Sequence, residues 1–339
     1  MDTTLPQRFI ELSLHSLKHV QNQPLQLNQQ TFQQNPIEPL NALQLKLQPI
    51  PLKPKTEETT IAAVDTSSIK IGETNKGIII AVRGANVWKN KRNYGYLRLG
   101  PFIFHITEEN LKEVYNTLQK AYFTEHNHQT SPNFMQIPMR IASLLERWLQ
   151  TTLSKTINNG LILFDGSLTA GTADAPTQHM KEILGNARGR NNVVLAFSKM
   201  TTLRFNGYIV TDVLLAHKPP YLLEISNLKP KPPLILLGDV YVARLTNGNY
   251  AFRLDIDKEI SIEKRVEAVE KLLGNDLFFQ SYPETLRLAH ILCTFTANEV
   301  IAMQHFISQK YGLKIVNRPD MHRLLFGPFG KGENRNETV

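Results

Sequence analysis

One cysteine, Cys293, occurs in 339 residues, and no apolar run approaches the roughly twenty residues that a membrane span requires. A lone cysteine makes no internal disulfide and no cysteine-based zinc cage, so packing must supply the stability, and a cytoplasmic location fits that chemistry best. The amino terminus, MDTTLPQRFIELSLHSLKHV, starts acidic and alternates polar with apolar residues, unlike the charged and then continuously apolar order of a signal peptide. No Gly-rich loop ending in Gly-Lys-Ser or Gly-Lys-Thr is present, so any ATP-driven movement must come from a partner. No internal repeat is found.

Basic residues are in excess, with 38 Lys and Arg against 30 Asp and Glu and a formal charge of +8. Attraction to a polyanion follows, although many basic proteins bind no nucleic acid. Residues 1 to 57 are rich in Gln, Asn and Pro, with a helix expected near Pro6 to Val20, and read as an arm and linker outside the core. A compact domain is expected over 58–310, followed by a basic tail over 311–339 that carries Arg318, Arg323, Lys331 and Arg335.

Within the domain, IAAVD at 61–65, GIIIAVRGANV from Gly77 and LRLGPFIFHI at 97–106 read as strands, with Thr107 capping a helix. A helix over about 136–157 ends at Asn159-Gly160 before the buried strand LILFD at 161–165. A helix near 176–188, the strand VVLAFS at 193–198, the segment LILLG and a hairpin joining VYVARL to YAFRLDI come next. Helices over about 261–273 and 283–309 close a mixed α/β architecture.

Asp65 and Asp165 share a local setting, the carboxyl end of an apolar strand followed by small residues (VDTSS and FDGS). Such strand ends gather ligands, and neighbouring strands can bring two carboxylates to one hard cation; alternatively each Asp simply begins a turn. Glu146 lies on the apolar line of Ala142, Leu149 and Leu153 in IASLLERWLQTTL. A carboxylate in that seam needs a metal, an arginine or a fraying position to account for it. Three carboxylates suit Mg2+ or Mn2+ in two-metal phosphodiester hydrolysis, in which the ions activate water and stabilise the leaving oxygen.

Together these segments resemble the NurA nucleases, which work with the HerA hexameric ATPase. IAAVDTSS resembles the family's opening acidic motif, LLERWL and LILFDGSL its next pair, and VVLAFSK the following strand ending in Lys199. VYVARLTNGNYAFRLDI resembles its late hairpin, and SYPETLRLAH its Tyr-Pro followed by Ala-His, with Tyr282 and His290 at the functional positions. The likeness covers about residues 60–295; Thr285 stands where the family usually has a second proline. It implies an RNase H-like mixed sheet with flanking helices, an N-terminal extension and C-terminal helices. It also implies a homodimeric, Mn2+-dependent DNA exonuclease and single-strand endonuclease acting in end resection and double-strand break repair.

On this reading Asp65, Glu146, Asp165 and His290 are ligands of two metal ions, Mn2+ or Mg2+, while Lys199 offsets transition-state charge and Tyr282 touches the DNA. Alone, His290 reads more readily as a packed core histidine, and Lys199 equally as a solvated strand end. Asp255, closing FRLD, is a further acidic candidate. In RGANVWKNKRNYGYLR, the residues Arg83, Lys89, Lys91 and Arg92 with Trp88 and Tyr94 form a DNA-contact candidate, or an exposed hairpin with snorkelling side chains. The rival readings are a catalytically silent DNA-binding or ATPase-docking subunit and an RNase H-like nuclease acting on RNA.

Overall fold

The computed structural model describes residues 4–18, 44–45, 48–122, 132–205, 208–212, 218–226 and 228–316. Three long strands open the domain as an antiparallel meander: β1 (Ile61–Glu73), β2 (Gly77–Asn90) and β3 (Asn93–Thr107). The expected short first strand is more than twice as long, because pairing with β2 carries it past Asp65 and the hydroxyl residues that follow. β4 (Leu161–Asp165) then lies parallel to β1, and β5 (Val193–Ser198) parallel to β4. The resulting order β3-β2-β1-β4-β5, with β2 antiparallel inside it, is the core of a mixed sheet.

Three antiparallel strands extend the sheet beyond β5: β6 (Tyr221–Ser226), β7 (Gly238–Arg244) and β8 (Phe252–Asp257). The expected hairpin is the β7–β8 pair, whereas β6 was not expected from its sequence YLLEIS. Two short segments, Gln44–Leu45 and Ile50–Pro51, pair with β6 and complete a ten-stranded sheet.

Alternation along the strands sorts the core into two layers. Ala62, Val64, Ile162 and Phe164 face a layer built from α1 (Thr4–Lys18), α2 (Leu111–Tyr122), α3 (Ile137–Thr156) and α4 (Thr177–Gly189). Ile61, Ala63, Leu161 and Leu163 face α5 (Ile262–Asn275) and α6 (Glu284–Cys293). A further helix, α7 (Ala297–Tyr311), covers Ile71, Ile79 and Ala81.

Three expectations are corrected here. The segment 1–57 is not only an arm: Phe9 of α1 is fully buried, with its ring 5.1 Å from Phe102 and 6.0 Å from Phe104, and residues 44–45 and 50–51 contribute sheet pairs. The single helix expected over 283–309 is two, since Thr296 and Glu299 form a reciprocal capping box that starts α7. Residues 312–316 are not tail, because Leu313 is buried and Val316 bridges Glu73. The basic residues Arg318, Arg323, Lys331 and Arg335 lie outside the described residues. No helix among the described residues is long and apolar enough to cross a membrane.

The burial of Phe9 makes α1 part of the core. Phe9→Ala is expected to cost about 3 kcal/mol, read as a lower urea midpoint; a loss below about 0.5 kcal/mol would show that α1 contributes nothing to stability.

Candidate metal centre

The parallel pairing of β1 with β4 fixes the centre. Their register runs from Ile61 opposite Leu161 to Val64 opposite Phe164, so Asp65 and Asp165 follow side by side at the next step. Adjacent strands put their Cα atoms about 5 Å apart. Alternation turns both carboxylates toward the α6 layer, and the Asp65 carboxylate accepts a 2.7 Å hydrogen bond from Nδ1 of His290 on α6. Because an ionised carboxylate only accepts, the proton sits on Nδ1, and a neutral ring leaves Nε2 as an acceptor.

Beyond Asp165, Gly166 takes a φ of +112°, which strongly favours glycine. Its N–H donates to Phe197 and its carbonyl accepts from the Ser198 hydroxyl, so the turn is tied to β5. Lys199, the next residue after β5, places Nζ 2.7 Å from the Asp165 carboxylate. Burial raises the pKa of Asp165, Lys199 opposes the rise and the charge of Asp65 adds to it.

Glu146 reaches the same charges from α3, on the opposite layer. Gly84 of β2 permits the close crossing: a Cβ there would stand 2.6 Å from Leu149 and 3.1 Å from Leu145, the neighbours of Glu146 on α3. Glu146 is half-buried and accepts 2.9 Å from the Gln150 amide, which in turn accepts 2.5 Å from Arg147. No ion pair holds it among the described residues. Burial, opposed by Arg147 and reinforced by Asp65, Asp165 and Asp174, pushes its carboxyl up to about 7.

Tyr282 precedes α6 and packs edge-on against Phe197 and Phe252, with Lys199 Nζ 5.6 Å from its ring centre. Its buried hydroxyl has no hydrogen-bond partner among the described residues. Burial and the charges of Asp165 and Asp65 raise its pKa. Thr285, where the resembling motif has proline, uses what proline lacks: its N–H donates 3.1 Å to Asp276 and its hydroxyl donates 3.0 Å to the same carboxylate. This contact anchors the start of α6, and with it Tyr282 and His290.

The residue types fit a divalent cation: Asp65 and His290 meet at 2.7 Å and offer an oxygen and an imidazole nitrogen, and the charges of Asp65 and Asp165 both act on Glu146. Asp255 does not join them: it is buried, bound through both oxygens by Arg253 at 2.7 Å, and accepts from the Leu168 amide. A donor not foreseen is Cys293, whose Sγ, with ligand atoms of Asp65 and His290, completes a trio within 4.8 Å of one another. Its signal was present in the sequence, because positions three apart share a helix face.

The proposed nucleic-acid contacts divide. Arg83 is buried, pairs with Glu299 at 2.8 Å, donates to the Thr294 carbonyl and stacks 4.2 Å from the Phe295 ring centre. Lys89 is buried and donates 2.6 Å to the Asn275 carbonyl. Both are committed inside the protein, which corrects the expectation that they face DNA. Lys91 is exposed and pairs with Glu58; Arg92, Trp88 and Tyr94 are exposed on the β2–β3 hairpin, with the Tyr94 hydroxyl 3.4 Å from Asp276. Trp88 covers Gly95, where a Cβ would stand 2.5 Å from the indole.

A cavity of about 610 Å³ lies at the other ends of β4 and β5, where Leu161 and Val193 begin those strands. Lys271 pairs there with Glu57 and Glu267, and no candidate residue lines it.

Residues 59–191 match the NurA family by its NurA domain, a span that contains Asp65, Glu146 and Asp165 and stops short of Tyr282 and His290. No curated protein matches the chain. Similar solved structures include the NurA nuclease from Sulfolobus solfataricus, at 16% identity and a TM-score of 0.47, covering 77% of this chain and 88% of that one. A NurA bound to dAMP and manganese is 12% identical, with a TM-score of 0.46 and coverage of 80% and 91%. An endonuclease V from Bacillus subtilis is 13% identical, with a TM-score of 0.35 and coverage of 77% and 88%. This chain therefore carries a region over residues 59–191 that is similar to the NurA domain.

Proposed function

We propose that this protein is a divalent-metal-dependent deoxyribonuclease, with exonuclease and single-strand endonuclease activity, acting in DNA end resection and double-strand break repair. The observation that carries this reading is geometric: inside the region similar to the NurA domain, the parallel register of β1 and β4 brings Asp65 and Asp165 to the same step of the sheet, with His290 2.7 Å from Asp65. Asp65, Glu146 and Asp165 would hold the cations, two Mn2+ or Mg2+ ions, and His290 would add a nitrogen donor. When bound, such ions supply the Lewis acid that offsets charge on a phosphodiester and activates water.

The remaining groups act around that charge. Lys199 neutralises Asp165 before substrate arrives and turns toward the phosphate as negative charge builds there. The Tyr282 hydroxyl donates to a phosphate oxygen, which gives its buried proton the acceptor it otherwise lacks. Exposed Trp88 and Tyr94 stack on unpaired bases, and Lys91 and Arg92 track phosphates. The chain acts as a homodimer beside a HerA-type hexameric ATPase in the cytoplasm; it carries no nucleotide-binding loop of its own.

Two experiments test the reading. Asp65→Asn and Asp165→Asn are each expected to lower Mn2+-dependent cleavage of labelled single-stranded DNA by about 10²-fold or more, with DNA binding retained. Wild-type protein that binds DNA without releasing nucleotides would make it a silent subunit instead, and cleavage confined to RNA would change the substrate class.

Glu146 gives the second test. Its folded pKa lies above the ordinary glutamate value of 4.5, so the native state binds the extra proton between pH 4.5 and about 7. Stability in chelator therefore falls as pH rises through that window, by about 1–3 kcal/mol from this group. Glu146→Gln should melt like the wild type near pH 5 and higher than it near pH 8. An equal difference at both pH values would contradict the charge argument.

A further inference from the structure

The acidic centre contains one group that phosphodiester chemistry with hard ions does not use. Cys293 is fully buried on α6, one turn after His290, and its thiol donates 3.2 Å to the His290 carbonyl. Its sulfur and ligand atoms of Asp65 and His290 all lie within 4.8 Å of one another. Mg2+ and Mn2+ favour the oxygens and gain little from sulfur, whereas Zn2+ and Cd2+ bind a mixed sulfur, nitrogen and oxygen set tightly.

We propose that Asp65, His290 and Cys293 form a site for a thiophilic divalent cation of the zinc class, and that its occupancy holds the centre inactive. Two further observations support a ligand at this place. Nδ1 of His290 and the Asp65 carboxylate meet at 2.7 Å across a single proton, which a cation can replace. The Tyr282 hydroxyl, on a side chain more than nine-tenths buried and without a partner among the described residues, lies in the field of Asp165 and Asp65.

The binding step balances simply. The thiol proton leaves to solvent and the sulfur exchanges its hydrogen bond to the His290 carbonyl for a bond to the metal. The imidazole moves its proton from Nδ1 to Nε2, and Asp65 turns an oxygen from the imidazole to the cation. Since Asp65 is then taken, the oxygen-rich set loses a member. The inhibitory part of the proposal rests on the nuclease reading; the binding part does not.

Cys293 is the only cysteine in the chain, so any thiolate-to-metal charge-transfer band has one source. Full-length protein freed of metal is titrated with Cd2+ while the ultraviolet band is followed, and Zn2+ affinity is measured by competition with a chromophoric chelator. The wild type should show the band at one Cd2+ per chain. His290→Ala and Asp65→Asn should weaken Cd2+ binding by at least about tenfold, while Asp165→Asn keeps the band. Cys293→Ser and Cys293→Val, checked for native circular dichroism, should weaken Zn2+ binding by a similar factor. In Mn2+, Zn2+ should then suppress wild-type cleavage at concentrations that leave Cys293→Ser active.

No band in folded wild-type protein, or a band unaffected by His290→Ala and Asp65→Asn, overturns the site. A normal band with equal Zn2+ suppression of wild type and Cys293→Ser overturns its inhibitory role. A band in a protein that cleaves no DNA under any metal sinks the nuclease reading and leaves the binding site standing.

Discussion

Two carboxylates side by side on parallel strands are the constraint around which the rest of this structure is arranged. The β1–β4 register brings Asp65 and Asp165 to the same step of the sheet, and Glu146 approaches from the opposite layer. Mutual repulsion at this range, in a partly dehydrated setting, is worth several kcal/mol unless offset. The protein supplies partial offsets: Lys199 at Asp165 and the His290 N–H at Asp65. Neither meets Glu146, which relieves the remaining charge by holding its proton up to about neutrality. A divalent cation would relieve all three at once, and would free Lys199 and His290 for other partners.

Much of the fold was legible because its signals are local. Apolar runs ending in Asp marked β1 and β4, and the 3.6-residue spacing of Ala142, Leu149 and Leu153 marked the buried face of α3. The division of the last helix was legible too, in Thr296 and Glu299 at capping-box spacing, but continuous apolar periodicity outweighed it. What escaped was non-local. YLLEIS becomes β6 because β7 and two short segments from 44–51 pair with it, and nothing within the six residues announces those partners. Phe9 likewise looks like part of a polar arm until Phe102 and Phe104 supply its pocket.

The same distinction runs through the site. Asp65, Glu146 and Asp165 could be singled out because a carboxylate at an apolar strand end or in an apolar helix seam conflicts with its surroundings. Arg83 and Lys89 offered no such conflict in sequence: each looked like one more cation in a basic, aromatic hairpin. Their partners, Glu299 and the carbonyls of Thr294 and Asn275, lie some two hundred residues away. Thr285 carried its meaning in an N–H and a hydroxyl, both invisible until Asp276 was placed beside them.

These buried contacts still bear on the chemistry, through α6. Asp276 holds the start of that helix by way of Thr285, and Arg83 holds its far end by donating to the Thr294 carbonyl and to Glu299. Glu299, held down to about 2 by Arg83 and the Thr296 amide, stays ionised across the whole range in which Glu146 changes charge. The clamp is therefore insensitive to the pH that titrates the centre. His290 and Cys293 lie between these two anchors, so their distance from Asp65 is set by the frame and not by the charge it surrounds. A basic residue taken from sequence as a contact for DNA acts instead on the placement of the imidazole, which is a stricter demand: an arginine that tracks phosphate can be exchanged for lysine, whereas one that bridges a helix end and a capping carboxylate needs its planar fork.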